Sequence, residues 1–231
     1  MTRVAALYDI HANLPALDAV LAEADAADLV VVGGDFAHGP LPAETVDRLR
    51  GLGDRVRFIR GNADREVAGD DAWQRGPLGP ERLEFLAGLP ETLTLEVEGL
   101  GSVLFCHGSP RSDEEIMTAV TPDDRLGRIL SGVTAQVVVC GHTHHQFDRV
   151  AHGVRVVNAG SVGMPYEGRP GAFWAMLGPD VELRSTAYDL DMAEVAILAS
   201  GFPGAEELVD TLRSPPTAEE VARHFESLAS G

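Results

Sequence analysis

The chain has 231 residues, 45% of them apolar, with 36 acidic against 18 basic side chains and a formal charge of −18. That composition describes one soluble, well-cored globular unit and excludes a protein that coats nucleic acid through its charge. Every basic residue is Arg, which also excludes a Walker-type phosphate loop, a Schiff-base enzyme and a Lys nucleophile.

No apolar run approaches the roughly 18–20 residues of a membrane span. The short run Val4 to Leu7 leads straight into Asp9 and His11 without a signal-peptide pattern, so the expected location is cytoplasmic, with no membrane partner. Strands are expected at Val4–Tyr8, Leu29–Val32, Arg57–Ile59, Thr92–Val97, Ser102–Cys106, Gln136–Val139, Val154–Val157, Ala172–Leu177 and Val181–Ala187. A first helix follows from Leu14, Leu17, Val20 and Leu21, with Asn13 as N-cap and Pro15 in the first turn. Further helices are expected at Ala43–Arg50, Pro80–Ala87 and Pro122–Leu130, and loops at Gly76–Pro80 and Gly163–Gly171. Alternating strands and helices argue for α/β layering around a buried sheet.

After Asp189 the pattern changes. Met192–Ala199, Ala205–Leu212 and Ala218–Leu228 are amphipathic and should pack on the outside of the core. The expected organisation is a single domain, residues 1–231, with a core of 1–190 and peripheral helices in 191–231; these acidic helices are a candidate interface for a homo-oligomer or a shaper of specificity. Cys106 and Cys140 end apolar runs and read as buried core thiols, and the acidic runs Asp70–Asp71 and Asp113–Glu115 as solvated charge.

Polar residues suited to a metal recur directly after the apolar runs: Asp9 and His11, Asp35, Asn62, His107, and His142 with His144. In α/β sheets, loops at the carboxyl ends of strands converge on one crevice, so five strand ends can present these groups to one place. The i, i+2 spacing of Asp9/His11 and His142/His144 turns both side chains of an extended segment the same way, so each pair is expected to grip one ion. Gly33, Gly34, Gly61, Gly108 and Gly141 allow close approach of backbone at that rim. Imidazole with carboxylate suits Mn, Fe, Co, Ni or Zn rather than calcium or structural zinc. Seven ligands are too many for one ion and suit two with a shared carboxylate; two dications about 3.5–4 Å apart give hydroxide from bridging water and clamp an in-line displacement at phosphorus.

The ordered series D9-I-H11, G34-D35, G61-N62-x-D64, C106-H107-G108 and G141-H142-T143-H144 closely resembles the calcineurin-like metallophosphoesterases. The stretches D9-I-H-A-N-L-P-A-L, H107-G-S-P-R and N158-A-G-S161-V-G-M-P look like the small bacterial branch of that family. The resemblance implies a four-layer αββα sandwich, to which the C-terminal helices are extra. It implies one metal held by Asp9, His11, Asp35 and His144, and a second by Asp35, Asn62, His107 and His142, with Asp35 bridging. Two divalent ions, Mn first among Mn, Fe, Ni, Co and Zn, are the expected cofactors. Many members carry His directly after the metal-ligating Asn; here that residue is Ala63, which cannot move a proton, so weak activity is expected on esters with poor leaving groups unless another imidazole substitutes.

His38 and His145 are the candidates for that acid, His38 preferred because alternation turns His145 away. Asp64 is left to support the site or cap a helix. Arg60, Arg65 and Arg111 are candidate phosphate contacts, Arg111 preferred because it follows the His107 segment. Tyr166 and Arg169 could close over a ligand, and Asn158 and Ser161 should buttress the ligand loops.

The expected function is hydrolysis of a phosphodiester or phosphomonoester, of nucleotide type or a small diester, by metal-bridging hydroxide without a phospho-enzyme. Catalysis is assigned to Asp35, Asn62, His107 and His38. The alternative is a binding scaffold that kept the fold, as in the retromer subunit that resembles these enzymes, although scaffolds of that sort usually lose ligands. A two-metal peptidase fits Asn62 and the paired imidazoles less well.

Overall fold

The apolar run Val4–Leu7 forms β1 and is buried on both faces. It pairs in parallel with β2 (Leu29–Val32), which pairs in parallel with β3 (Val56–Phe58), and antiparallel with β9 (Ala172–Leu177), to which β10 (Val181–Thr186) adds as an edge. The second sheet runs β4 (Thr92–Val97), β5 (Gly101–Cys106), β6 (Val137–Cys140), β8 (Val154–Asn158), β7 (Phe147–Ala151), with β5, β6 and β8 parallel. The structure is a computed structural model and describes residues 2–69 and 72–229; the acidic pair Asp70–Asp71 and the last two residues of the 191–231 segment lie outside the described residues.

Alternation along the strands sorts side chains into layers. Val4, Ala6, Tyr8 and Val31 meet Val103, Phe105, Val137 and Val139 between the sheets. On the other face of the first sheet, Leu7, Val32, Trp174 and Met176 pack under α1 (Leu14–Glu23), α2 (Pro42–Arg50) and α4 (Ala72–Ala87) through Leu17, Val20, Leu49, Leu78 and Leu86. On the outer face of the second sheet, Cys106, Val138, Cys140 and Val156 pack with Leu126 and Ile129 of α5 (Asp123–Ile129). The layers are therefore helix, sheet, sheet, helix, and both cysteines are free thiols in the core as expected.

Local signals account for most elements. Asn13 Oδ1 accepts from Ala16 N–H, and Pro15 sits in the first turn of α1. Three elements differ from expectation. The helix α3 (Asn62–Gly69) is not predicted by local pattern, because NADREVAG is short and polar. Strand β7 escapes prediction because FDRVA carries charges, which an edge strand tolerates. Residues 76–78 are helical where a loop is expected, but the expected interruption is present at Gly79, whose φ of 67° and ψ of 170° divide α4 into two helices, the second beginning at Pro80 as expected.

The C-terminal segment forms α6 (Leu190–Ala199), α7 (Ala205–Arg213) and α8 (Ala218–Ala229). Ala193, Ile197, Leu208, Val209 and Leu212 make a satellite core that Met164 and Tyr188 also join. Helix α8 crosses to the second sheet: Glu226 accepts from Thr118 Oγ1 (2.8 Å), Thr121 Oγ1 (2.6 Å) and Arg125 Nη2 (2.6 Å), in a partly buried cluster. Hydrogen bonds to a charged group are worth about 1.5–3 kcal/mol each in such surroundings. Glu226→Ala is expected to raise amide exchange across α8 by at least about tenfold, the equivalent of roughly 1.4 kcal/mol, while α1 keeps its protection.

Candidate metal centre

The parallel strands end level. Leu7 lies opposite Val32, Val32 opposite Phe58, Phe105 opposite Val139 and Cys140 opposite Asn158, so the loops beyond them share one rim. Asp9 and His11 follow β1, Asp35 follows β2, Asn62 opens α3 after β3, His107 follows β5, and His142 and His144 follow β6.

Two groups form there, and contrary to the expectation for an extended pair His142 and His144 fall in different ones, because φ of 66° and 57° turns their segment out of the extended conformation. Asp9, His11 and His144 place their ligand atoms within 4.8 Å of one another, as do Asp35, His107 and His142. His144 Nε2 lies 3.2 Å from both Asp9 Oδ1 and His11 Nε2, and His107 Nε2 lies 3.2 Å from Asp35 Oδ2. A gap of 3.8 Å between His107 Nε2 and Asp9 Oδ1 joins the groups. Asn62 stands beside the second group, since the next N–H, that of Ala63, donates to Asp35 Oδ1 at 2.8 Å.

The donor chemistry fits divalent cations. Asp9 Oδ1, Asn62 Oδ1 and His107 Nε2 are buried, Asn62 Oδ1 without a hydrogen-bond partner and the other two facing only other candidate ligands at 3.2 Å. An orphan such as Asn62 Oδ1 costs about 1–3 kcal/mol unless something electropositive meets it. The imidazoles are also oriented to present lone pairs: Nδ1 of His107 donates to the Gly33 carbonyl at 2.9 Å, and Nδ1 of His144 to the Met164 carbonyl at 2.8 Å, which leaves Nε2 of each facing the carboxylates.

The backbone is bent to hold this arrangement. Asp9, His11, Asp35, His142 and His144 have φ of 50°, 45°, 54°, 66° and 57°, a left-handed conformation that side chains other than glycine rarely adopt. At Gly61 an added Cβ would stand 2.1 Å from Asp35 Oδ1, so only glycine lets this loop approach the carboxylate. Cross-links fix the loops in place. His142 N–H donates to Asp9 Oδ2 (2.9 Å), Ser161 Oγ to the Asp9 carbonyl (2.7 Å), and Asn158 Nδ2 to the Gly141 carbonyl (2.7 Å), the buttressing expected of Asn158 and Ser161.

Asp64 does more than cap a helix. Fully buried, it accepts four backbone N–H groups, from Asp35 (2.7 Å), Phe36 (3.1 Å), Ala37 (3.0 Å) and Gly61 (3.1 Å), and so ties the second and third ligand loops together. Burial and the Asp35 charge push its carboxyl up to about 7. The four donors nevertheless occupy both oxygens and leave no place for a proton, so the geometry holds it ionised. Asp64→Asn turns an NH2 toward two of those N–H groups and is expected to cost roughly 2–4 kcal/mol, read from urea unfolding.

Electrostatics favour cation binding coupled to proton release. Burial opposes charge on His107, but Asp35 and Asp9 outweigh it and raise the imidazole from 6.5 to about 10. By itself this stabilises the fold below pH 6.5, and the contribution is lost as pH rises through about 10. Burial likewise opposes ionisation of Asp9 and Asp35, and the nearby imidazoles overcome it and lower both carboxyls. His11 is lowered to about 4 by burial and then by His144. A cation must displace the His107 proton at neutral pH, so binding is expected to release about one proton and to tighten as pH rises. Calorimetry in buffers of different ionisation enthalpy measures this; no release would place His107 outside the coordination.

The other candidates fall in several places. His38 is half-buried with its ring 6.2 Å from that of His11 and 5.8 Å from Phe202, both edge-on. His145 turns away, as expected, with Nδ1 on the Thr143 carbonyl (3.0 Å) and its ring against Phe147. The three arginines are engaged by acids: Arg60 by Glu91 (2.7 Å), Arg65 by Asp113 (2.9 Å) and Glu114 (2.5 Å), and Arg111 by Glu115. The acidic run Asp113–Glu115 is thus ion-paired rather than simply solvated. Arg169 sits over the Phe173 ring at 4.6 Å. Tyr166 is at the site, its ring stacked on His144 at 4.8 Å. Sequence reasoning misses Phe225 of α8, 6.2 Å from the His142 ring, and Phe202; neither belongs to a motif, and only the amphipathic character of the terminal helices hints at them.

This site on this fold is that of a metal-dependent hydrolase, and comparison with known proteins agrees. Residues 2–177 match the calcineurin-like phosphoesterase superfamily domain, and the chain belongs to that superfamily. Phosphodiesterase YfcE of Escherichia coli is 30% identical over 184 residues, covering 75% of this chain and 85% of that protein. The crystal structure of a metallophosphoesterase from Sphaerobacter thermophilus superposes with a TM-score of 0.76 at 27% identity, covering 91% of this chain and 98% of that one. A hypothetical protein from Pyrococcus horikoshii OT3 shares the fold, with a TM-score of 0.82 at 22% identity over 94% of this chain and 100% of that one. The protein is accordingly a metal-dependent phosphoric ester hydrolase. Among the described residues no helix is long and apolar enough to cross a membrane.

Proposed function

We propose that the protein hydrolyses a phosphodiester or phosphomonoester, of nucleotide type or a small diester, with two divalent cations, manganese first among them. Asp9, His11 and His144 would hold one cation and Asn62, His107 and His142 the other, with Asp35 shared. Bound there, the cations would neutralise phosphoryl charge and make water acidic enough to supply a nucleophile near neutral pH. Every other contribution comes from the chain. Asp64 fastens the Asp35 loop, the Gly33 and Met164 carbonyls fix the imidazole tautomers, and His38, on the wall beside His11 but outside both ligand groups, would serve at most as a weak substitute for the proton donor missing at Ala63.

The observation that carries this reading is one rim of buried metal-binding atoms in which Asn62 Oδ1 has no partner and Asp9 Oδ1 and His107 Nε2 meet only other candidate ligands. It also weighs against a binding scaffold, which has no use for such a rim. Metal analysis of the purified protein, followed by a panel of phosphoesters with Mn2+ at about pH 7–8, tests it. Substoichiometric metal together with no turnover on any ester would refute it.

A further inference from the structure

The family match ends at residue 177, yet the segment beyond it reaches the site. A cleft of about 300 Å3 opens beside His11, bounded by His38 and Tyr166 on the sheet side and by Phe202, Leu208 and Thr211 of the C-terminal segment on the other. At that size it suits a small organic group. Its inner end is at the metal centre, since His11 Nε2 lies 3.2 Å from His144 Nε2 and Tyr166 stacks on the His144 ring. Its walls are aromatic and aliphatic. Phe202 is fixed edge-on between His38 (5.8 Å) and Trp73 (5.3 Å), and Leu208 is anchored in the satellite core.

The outer end is acidic. Glu207 lines the cleft, is exposed, and has no ion pair among the described residues. A polyphosphate or carboxylate arm would meet that charge at close range, whereas a neutral ring meets flat apolar walls and can turn a donor toward Glu207 or Thr211.

Resting on the phosphoesterase reading, we propose that this cleft holds the organic arm of the substrate, that the arm is a neutral, flat ring, and that residues 190–213 are the specificity element. The phosphoryl group stays at the rim while the arm is gripped by residues that take no part in holding cations.

The experiment compares phenylphosphonate with methylphosphonate by calorimetry on the Mn2+-loaded full-length protein. A ring in an apolar cleft is expected to bind roughly 10- to 100-fold more tightly than a methyl group. Thr211→Trp, which fills the cleft from a half-exposed position on α7, should bring that ratio near parity. Phe202→Ala, which removes one wall, should lower it by at least about fivefold, and it decides the matter if Thr211→Trp does not fold by circular dichroism. A wild-type ratio near one, a ratio untouched by the variants, or failure of both phosphonates to bind overturns the inference. Hydrolysis of bis-p-nitrophenyl phosphate, followed in parallel, reports separately on the phosphoesterase reading: turnover without ring preference refutes the cleft alone, and ring preference without turnover refutes the hydrolytic reading alone.

Discussion

Replacing Asp35 with Ala is expected to strip the protein of tightly held divalent cation and to lower turnover of bis-p-nitrophenyl phosphate by on the order of 10³-fold or more. Asp35 is nearly fully buried, its Oδ2 faces His107 Nε2 at 3.2 Å, and its Oδ1 accepts from Ala63 N–H at 2.8 Å. Its loss removes negative charge from the second group and leaves His107 with the more distant Asp9. The fold should survive, because the loop is fastened by Asp64 through the N–H groups of residues 35, 36 and 37, which the substitution leaves in place. Atomic emission on the purified variant reads the metal and circular dichroism the fold. A folded Asp35→Ala protein with full metal and full activity would refute the assignment.

Ala63→His is expected to raise turnover of esters with poor leaving groups by about 10²-fold, while p-nitrophenyl esters, whose leaving group needs no proton, change by less than about threefold. The residue at 63 lies in the first turn of α3 directly after Asn62 and is buried beside Asp35, where an imidazole would stand next to the second ligand group. In the present sequence turnover should therefore fall steeply as the leaving group becomes more basic. The slope is measured with a series of substituted phenyl esters. A shallow slope in the unaltered protein would mean that an acid already acts there, with His38 the nearest imidazole outside the two ligand groups.

The candidate metal centre is legible in the sequence because each candidate ligand stands at the point where an apolar run stops: the same pattern that marks Val4–Leu7 or Val137–Cys140 as strand also marks the next few residues as rim. Helix α3 is not legible, since NADREVAG is short and polar, buries only Val67 and Ala63 as apolar contacts, and turns the buried Asp64 to loops 35–37. The kink in α4 shows the converse, with Gly and Pro suggesting a loop where packing of Leu78 and Leu86 keeps helix on both sides of Gly79. Hardest to foresee is the contact of Phe202 with His38, which in turn meets His11, because pairing between distant segments leaves no trace in local spacing.

Glu226 has a consequence beyond its own hydrogen bonds. Helices α6 and α7 rest on the first sheet's side and α8 is moored to the Thr118–Arg125 stretch on the second sheet's side, so the tail is belted around the mouth of the enzyme. A tail fastened at both ends can exchange its inward-facing residues over evolutionary time without disturbing the inorganic chemistry beneath it.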